Sequence, residues 1–100
     1  MNENTWQSFF DLLKSGDEEA LNIANTFINT GEEDFDRWEN WIHNIKYIWV
    51  DFSFVHIKFE DNIHENKLLF YDEDVYSPIM ALLRKRKIDE ILKEDYQKVG

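Results

Sequence analysis

The sequence predicts an α+β fold, in which N-terminal helices (two or three) are followed by a small antiparallel β-sheet or hairpin and a C-terminal helix. Three observations support this class. Apolar residues recur at helical spacing through residues 6–45, alternate at strand spacing between 46 and 72, and return to helical spacing after a Ser-Pro pair. The chain has 100 residues, of which 43% are hydrophobic. This length and composition predict one small domain over residues 1–100.

The first two predicted helices are separated by Ser15-Gly16, because glycine readily adopts the left-handed conformation after a last helical turn. Asn4 or Thr5 is predicted to cap the first helix, and Asp17 the second. Gly31 is predicted to mark the end of the second helix. The connection is short, so an antiparallel helical hairpin is expected.

A third helix is predicted from about Glu32 to about Asn44. Thr30 and Glu33 have the spacing of a capping box, in which the two side chains satisfy each other's backbone N–H groups. The carboxylates and rings of this predicted helix are close in sequence but are expected to point in largely different directions. The apolar positions expected on one face are Phe35, Trp38, Trp41 or Ile42, and Ile45.

Strands are predicted from the period-two alternation of Val55, Ile57 and Phe59 with polar residues. The apolar parity is opposite before residues 51–53, which indicates a bulge, a bend or a tight turn there. A polar loop and a further strand are predicted at 61–66 and 67–72.

The C-terminal helix is predicted to begin at Ser77-Pro78, because proline is favoured at the first helical position. Its apolar direction changes at the basic cluster 84–87, so we predict a break there that lets both apolar patches face inward. The basic cluster is expected to neutralise acids of the body. The second patch is predicted as a surface for self-association, which includes a possible homodimer; it consists of Ile88, Ile91 and Leu92.

The charge pattern is the strongest indication of function. The chain has 21 acidic and 11 basic residues, a net charge of −10. Residues 1–83 contain 17 of the acids and 5 of the bases. Such a charge repels nucleic acid and anionic membranes and attracts basic surfaces. We therefore expect a non-enzymatic inhibitor or nucleic-acid-mimic decoy that occludes a basic nuclease or another nucleic-acid-binding protein, as toxin immunity or phage counter-defence proteins do.

The predicted partner-binding residues are acids in clusters together with two nearby rings. They are Glu32, Glu33, Asp34, Asp36, Trp38, Glu39, Trp41, Glu60, Asp61, Asp72, Glu73 and Asp74. Tyr47 and Trp49 are further candidate anchors, because buried rings carry much of the energy of an interface. For each of these four rings, a position in the hydrophobic core is the favoured alternative.

Two other functions are compatible with the sequence. The first is a structural or oligomerisation module that associates through its C-terminal helix. The second, less favoured, is a small metal-dependent enzyme with His56 and His64 near carboxylates, although the ligand spacing matches no known motif. No catalytic residue, metal or cofactor is predicted. The absence of cysteine, of a secretory signal and of a long apolar run predicts a cytoplasmic protein.

Overall fold

The computed structural model describes residues 2–29, 35–60 and 65–99, and the side chains of the last helix as far as residue 92. The predicted α+β class is confirmed: two helices precede a three-stranded antiparallel sheet, and one long helix follows it. The elements are α1 (Glu3–Lys14), α2 (Glu18–Phe27), β1 (Ile45–Asp51), β2 (Phe54–Phe59), β3 (Lys67–Phe70) and α3 (Tyr76–Val99). Short 3₁₀ turns cover Trp38–Asn40, Ile42–Asn44 and Glu73–Val75.

The helix caps explain where α1 and α2 begin. Asn2 Oδ1 accepts a hydrogen bond of 2.9 Å from the backbone N–H of Thr5, so α1 starts earlier than the predicted cap at Asn4 or Thr5. Gly16 has a φ of 83° and ends the helical turn, as predicted. Asp17 is confirmed as the cap of α2, because its side chain accepts from the N–H of Ala20 at 3.0 Å.

The end of α2 is decided by tertiary contacts. The helix stops at Phe27, whose carbonyl accepts a hydrogen bond of 2.9 Å from the N–H of Asp72. Ile28 follows with a non-helical backbone and is fully buried. The prediction that α2 continues to Gly31 is therefore wrong, and Gly31 itself lies outside the described residues.

The predicted third helix is wrong within the described residues 35–44, which contain only the two 3₁₀ turns. The side chains of Asn25 in α2 and of Asn29, which follows α2, bind the backbone here instead of the helical i−4 partners. Asn25 Oδ1 accepts from the N–H of Trp38 at 2.9 Å, and Asn29 donates to the carbonyls of Phe35 and Asp36. These hydrogen bonds satisfy backbone groups that a helix would otherwise pair internally.

The sheet has the strand order β1-β2-β3. β1 and β2 are joined by the two-residue turn Phe52-Ser53, which confirms the turn predicted from the change of apolar parity. The inner face of the sheet packs on the hydrophobic core with Ile48, Val55, Ile57 and Leu69, all of them buried. On the other face, no described helix or strand packs over the sheet and buries its side chains. This outer face forms part of the candidate functional site.

Helix α3 is continuous through residues 84–87, so the predicted break is wrong. No glycine or proline interrupts this segment, and two of its cations, Lys85 and Arg86, are held by carboxylates at the start of α2. The first apolar patch of α3 enters the core with Ile79 and Leu82. The second patch, Ile88, Ile91 and Leu92, consequently remains exposed. No helix in the described part of the chain is both long and apolar enough to cross a lipid bilayer.

Candidate functional site: an aromatic sheet face with an acidic end

The outer face of the sheet carries large apolar side chains where a solvated sheet normally carries polar ones. We call this surface the aromatic face. The strand register places Trp49, His56 and Leu68 in one row and Phe54 beside Phe70 in the next. The rings of Trp49 and His56 stack with centroids 5.0 Å apart. The aromatic face consists of Tyr47, Trp49, Phe54, His56, Leu68 and Phe70. Contiguous exposed apolar surface of this kind typically marks a binding site.

Phe52 projects from the turn between β1 and β2 and is 90% exposed. Its φ is 52°, the left-handed region that L-residues other than glycine, asparagine and aspartate rarely adopt. An exposed phenylalanine in a strained backbone gains nothing from burial and loses conformational energy. Its side chain therefore has no evident stabilising role in the isolated domain.

The end of the sheet that carries this turn is acidic. Phe54, the first residue of β2, pairs with Asp51 of β1 on one side and with Phe70 of β3 on the other, so β3 ends beside the turn. Asp72–Asp74 come shortly after the end of β3. Glu73 and Asp74 are exposed. Across the residues that the structure describes, no lysine or arginine forms an ion pair with Asp51 or with Asp72–Asp74. We call Asp51 and Asp72–Asp74 the acidic end.

Two lysines lie near the opposite end of the aromatic face. Lys58 pairs with Tyr47 across the sheet, and the Nζ atom of Lys46 lies 5.5 Å from the centroid of the Tyr47 ring. Lysines therefore lie near one end of the face, together with the carboxylate of Glu60, whereas the carboxylates at the other end have no lysine or arginine partner among the described residues.

Some carboxylates elsewhere on the body are paired with cations. Arg86 bonds to Asp17 at 2.9 Å and holds the pKa of that carboxyl below its ordinary value of 3.8. Lys85, at 2.8 Å, likewise lowers the pKa of Glu19. These contacts match the expectation that the cluster 84–87 neutralises acids of the body. Acidic segments whose carboxylates are paired in this way therefore do not share the negative potential of the acidic end.

A cleft of about 500 Å³ lies beside the acidic end, between the start of α1, strand β1, the turn and the start of α3. We call it the aromatic cleft. Trp49 and Phe52 belong to it as well as to the outer surface. Its lining residues are Glu3, Trp6, Gln7, Phe10, Ile48, Trp49, Val50, Phe52, Tyr71 and Tyr76. The chain segments 2–13, 49–57 and 68–83, which supply most of this lining, contain no lysine or arginine.

Two tyrosines connect the cleft to the turn. The hydroxyl of Tyr71 donates to the carbonyl of Phe52 and lies 3.0 Å from the hydroxyl of Tyr76. Burial and the hydrogen bond with Tyr76 raise the pKa of Tyr71 to about 12, so the phenol stays neutral at physiological pH. The position of the exposed Phe52 is thereby tied to the wall of the cleft.

The predicted aromatic anchors divide into core and surface residues. Trp38 is 0% exposed and Trp41 is partly buried against Phe35, so the core alternative holds for both and neither is available as a protruding anchor. Tyr47 and Trp49 are 56% and 45% exposed.

Among the described residues, the predicted acidic residues do not form one continuous surface. Asp36 is exposed, but Glu39 is held by Asn25 and by Arg37 at 2.7 Å, which lowers its pKa. Glu60 follows β2 at the end of the sheet opposite the acidic end, about 20 Å away for strands of six or seven residues. Only Asp72, Glu73 and Asp74 lie next to the aromatic cleft. The positions of Glu32, Glu33, Asp34 and Asp61 fall outside the described residues.

The histidine alternative has limited structural basis. His56 stacks on Trp49, and its Nε2 atom lies 3.9 Å from Asp51 Oδ2. Within the described ranges, no group of three or more His, Asp or Glu side chains could hold a metal ion. His64 lies outside those ranges.

Sequence reasoning missed Phe52, Phe54, Leu68 and Phe70 of the outer surface, as well as the whole cleft. A signal was present: β3 has Leu68 and Phe70 at the parity that a one-sided sheet gives to polar residues. The cleft had no such signal, because its walls come from three separate segments of the chain.

No protein-family model, curated protein sequence or solved structure matches this chain.

Proposed function

We propose that the protein is a non-enzymatic inhibitor that docks on a basic protein and occludes its nucleic-acid-binding surface, in the manner of a toxin immunity protein or a phage counter-defence protein. The observation that supports the proposal is that exposed rings and carboxylates without a lysine or arginine partner lie at the same end of the described sheet. Rings that lose water at the centre of an interface supply most of its energy. Carboxylates around them select a cationic partner and accelerate association.

The mechanism is occlusion. Asp72–Asp74 and Asp51 occupy lysine and arginine side chains that would otherwise bind phosphates, while Trp49, Phe52 and Phe70 cover the adjoining apolar surface. The same field repels nucleic acid, so the inhibitor does not bind the substrate of its target. We place this activity in the cytoplasm, where a chain without cysteine needs no oxidising environment.

The proposal predicts that neutralising the acidic end weakens partner binding more than an equal loss of charge elsewhere. A basic nucleic-acid-binding protein is first identified by affinity capture from the native host and then purified. We expect the double variant Glu73→Gln/Asp74→Asn to bind it about tenfold more weakly, which corresponds to about 1.4 kcal/mol. The affinity of the parent should also fall as salt concentration rises, because exposed charges are screened. Titration calorimetry and inhibition of the partner's activity measure both effects.

The matched control is Glu18→Gln/Glu90→Gln, which removes two exposed charges on α2 and α3 without touching the acidic end. Equal weakening by both double variants would show that only net charge matters and would contradict docking through this surface.

Phe52→Gly tests the aromatic part of the surface, because it removes the ring and relieves the strained φ of this residue. Binding should weaken while the free energy of unfolding stays the same or rises by up to about 1 kcal/mol.

A second candidate function is self-association through α3. It is favoured by the exposure of Ile88, Ile91 and Leu92 on one continuous helix, since three apolar residues at this spacing form one stripe. Sedimentation equilibrium of the parent should then show a mass that rises with protein concentration. Ile88→Lys/Ile91→Lys should be monomeric, whereas Met80→Lys, an exposed apolar position about two turns before the stripe along the helix, should behave as the parent. A parent that is monomeric at every concentration contradicts this function.

A further inference from the structure

We propose that the aromatic cleft binds the guanidinium group of an arginine side chain presented by the basic partner. This inference rests on the proposed function and names the chemistry that one part of the interface recognises. The inference rests on three features that occur together: a cleft lined by aromatic rings, a carboxylate in its wall, and surrounding chain segments without lysine or arginine.

The aromatic side chains that line the cleft can attract a cation. Trp6 contacts Tyr71 and Tyr76, with ring centroids 5.1 and 6.0 Å apart and ring planes at 60° and 72°. These tilted and edge-to-face contacts pack the three rings together as one wall of the cleft. Trp49 and Phe52 complete the lining from β1 and the turn. The negative faces of aromatic rings attract organic cations, and tryptophan is the most effective of them.

The polar groups of the cleft have the matching sign. Glu3 supplies a carboxylate from the first turn of α1, and Gln7 supplies an amide one turn later. Gln7 donates to Asp11 Oδ1 at 3.0 Å, so its amide nitrogen is engaged by a second carboxylate. The neutral phenol of Tyr71 adds no charge. A cation that enters the cleft therefore meets only negative or neutral groups.

Arginine fits these features better than other ligands. Its guanidinium is planar, stacks on rings and presents several N–H donors to a carboxylate. The volume of about 500 Å³ lies within the range of small-ligand sites and admits the group together with its aliphatic stem. A nucleotide base would also stack, but its phosphates would approach Asp72–Asp74. An uncharged apolar side chain would make no use of Glu3.

The test uses N-acetyl-arginine amide as the probe and N-acetyl-citrulline amide as its neutral, nearly isosteric control. Binding is followed by the NMR signals of the indole N–H groups and by tryptophan fluorescence. We expect saturable changes at Trp6 and Trp49 with the arginine probe, and affinity for the citrulline probe at least about tenfold lower. Glu3→Gln and Trp49→Ala should each weaken the arginine probe by about tenfold, with unchanged circular dichroism.

Other outcomes would overturn the inference. Equal affinity for the two probes, or no saturable change with the arginine probe, shows that the cleft does not recognise guanidinium. Binding of choline as tightly as the arginine probe shows a general site for small organic cations. If the arginine probe fails while Glu73→Gln/Asp74→Asn still weakens the purified partner, the cleft assignment is wrong and the proposed function stands. If the arginine probe binds but no basic partner is captured, the cleft is a cation site and the proposed function fails.

Discussion

Replacing Trp38 with alanine is expected to lower the free energy of unfolding by about 3–5 kcal/mol, because truncation of a buried tryptophan loses its transfer energy and leaves a cavity. Trp38 is 0% exposed and packs on Phe35 with ring centroids 4.8 Å apart. A domain of this size has a total stability of about 5–15 kcal/mol, so the variant retains little of it. Urea denaturation followed by circular dichroism measures the change.

Two variants make this result specific. Trp38→Phe keeps most of the apolar volume, and the indole Nε1 atom has no hydrogen-bond partner in the part of the chain that the structure describes. Its cost should therefore be smaller, about 1–2 kcal/mol. Trp49→Ala removes a ring of the same type from the surface and should cost less than about 1 kcal/mol. A similar cost for Trp38→Ala and Trp49→Ala would contradict the core position of Trp38.

Replacing Asp17 with alanine is expected to cost about 1–3 kcal/mol, because two stabilising contacts are lost together. The carboxylate caps α2 through Ala20 and binds Arg86, which connects the middle of α3 to the start of α2. Asp17 is largely buried, with 13% of its side chain exposed. Asp17→Asn should cost less than Asp17→Ala, because asparagine is also a favourable cap. Chemical denaturation of both variants separates the cap from the charge.

The pH dependence follows from the direction of the pKa shift. Arg86 lowers the pKa of Asp17 in the folded state below its ordinary value of 3.8. The folded state then binds fewer protons than the unfolded state, so the charged contact stabilises fully above pH 3.8 and is lost as pH falls through the folded pKa. The stability difference between the parent and Asp17→Asn should therefore shrink below about pH 4. A difference that stays constant from neutral to acidic pH would contradict the ion pair.

Elements supported by local signals were predictable. Gly16 and Asp17 form a helix stop and a helix cap within three residues, and the period-two pattern of Val55, Ile57 and Phe59 matches β2. These features depend on residues close in sequence, where backbone geometry and hydrogen bonding are decided locally. The change of apolar parity near Asp51 likewise located the turn, although it did not indicate that Phe52 would be strained and exposed.

Elements decided by distant partners were not predictable. The segment that contains Trp38 has helical spacing, yet Asn25 of α2 and Asn29, which follows that helix, bind its backbone and leave only 3₁₀ turns. In α3 the change of apolar direction suggested a break, but ion pairs with α2 and good helix formers keep the helix continuous. Local preference differs by about 1 kcal/mol per residue or less, so a few tertiary hydrogen bonds and ion pairs can override it.

By itself, the sequence determined the α+β class, the excess of negative charge and the segments in which acids cluster. Only the tertiary structure decided which carboxylates remain without a cation and which rings face solvent. Asp17 and Glu19 meet Arg86 and Lys85 from more than 60 residues away in the chain, whereas Glu73 and Asp74 meet none. The reason is physical: net charge is a sum over residues, but the field at a surface depends on distances between groups that the chain brings together only when it folds.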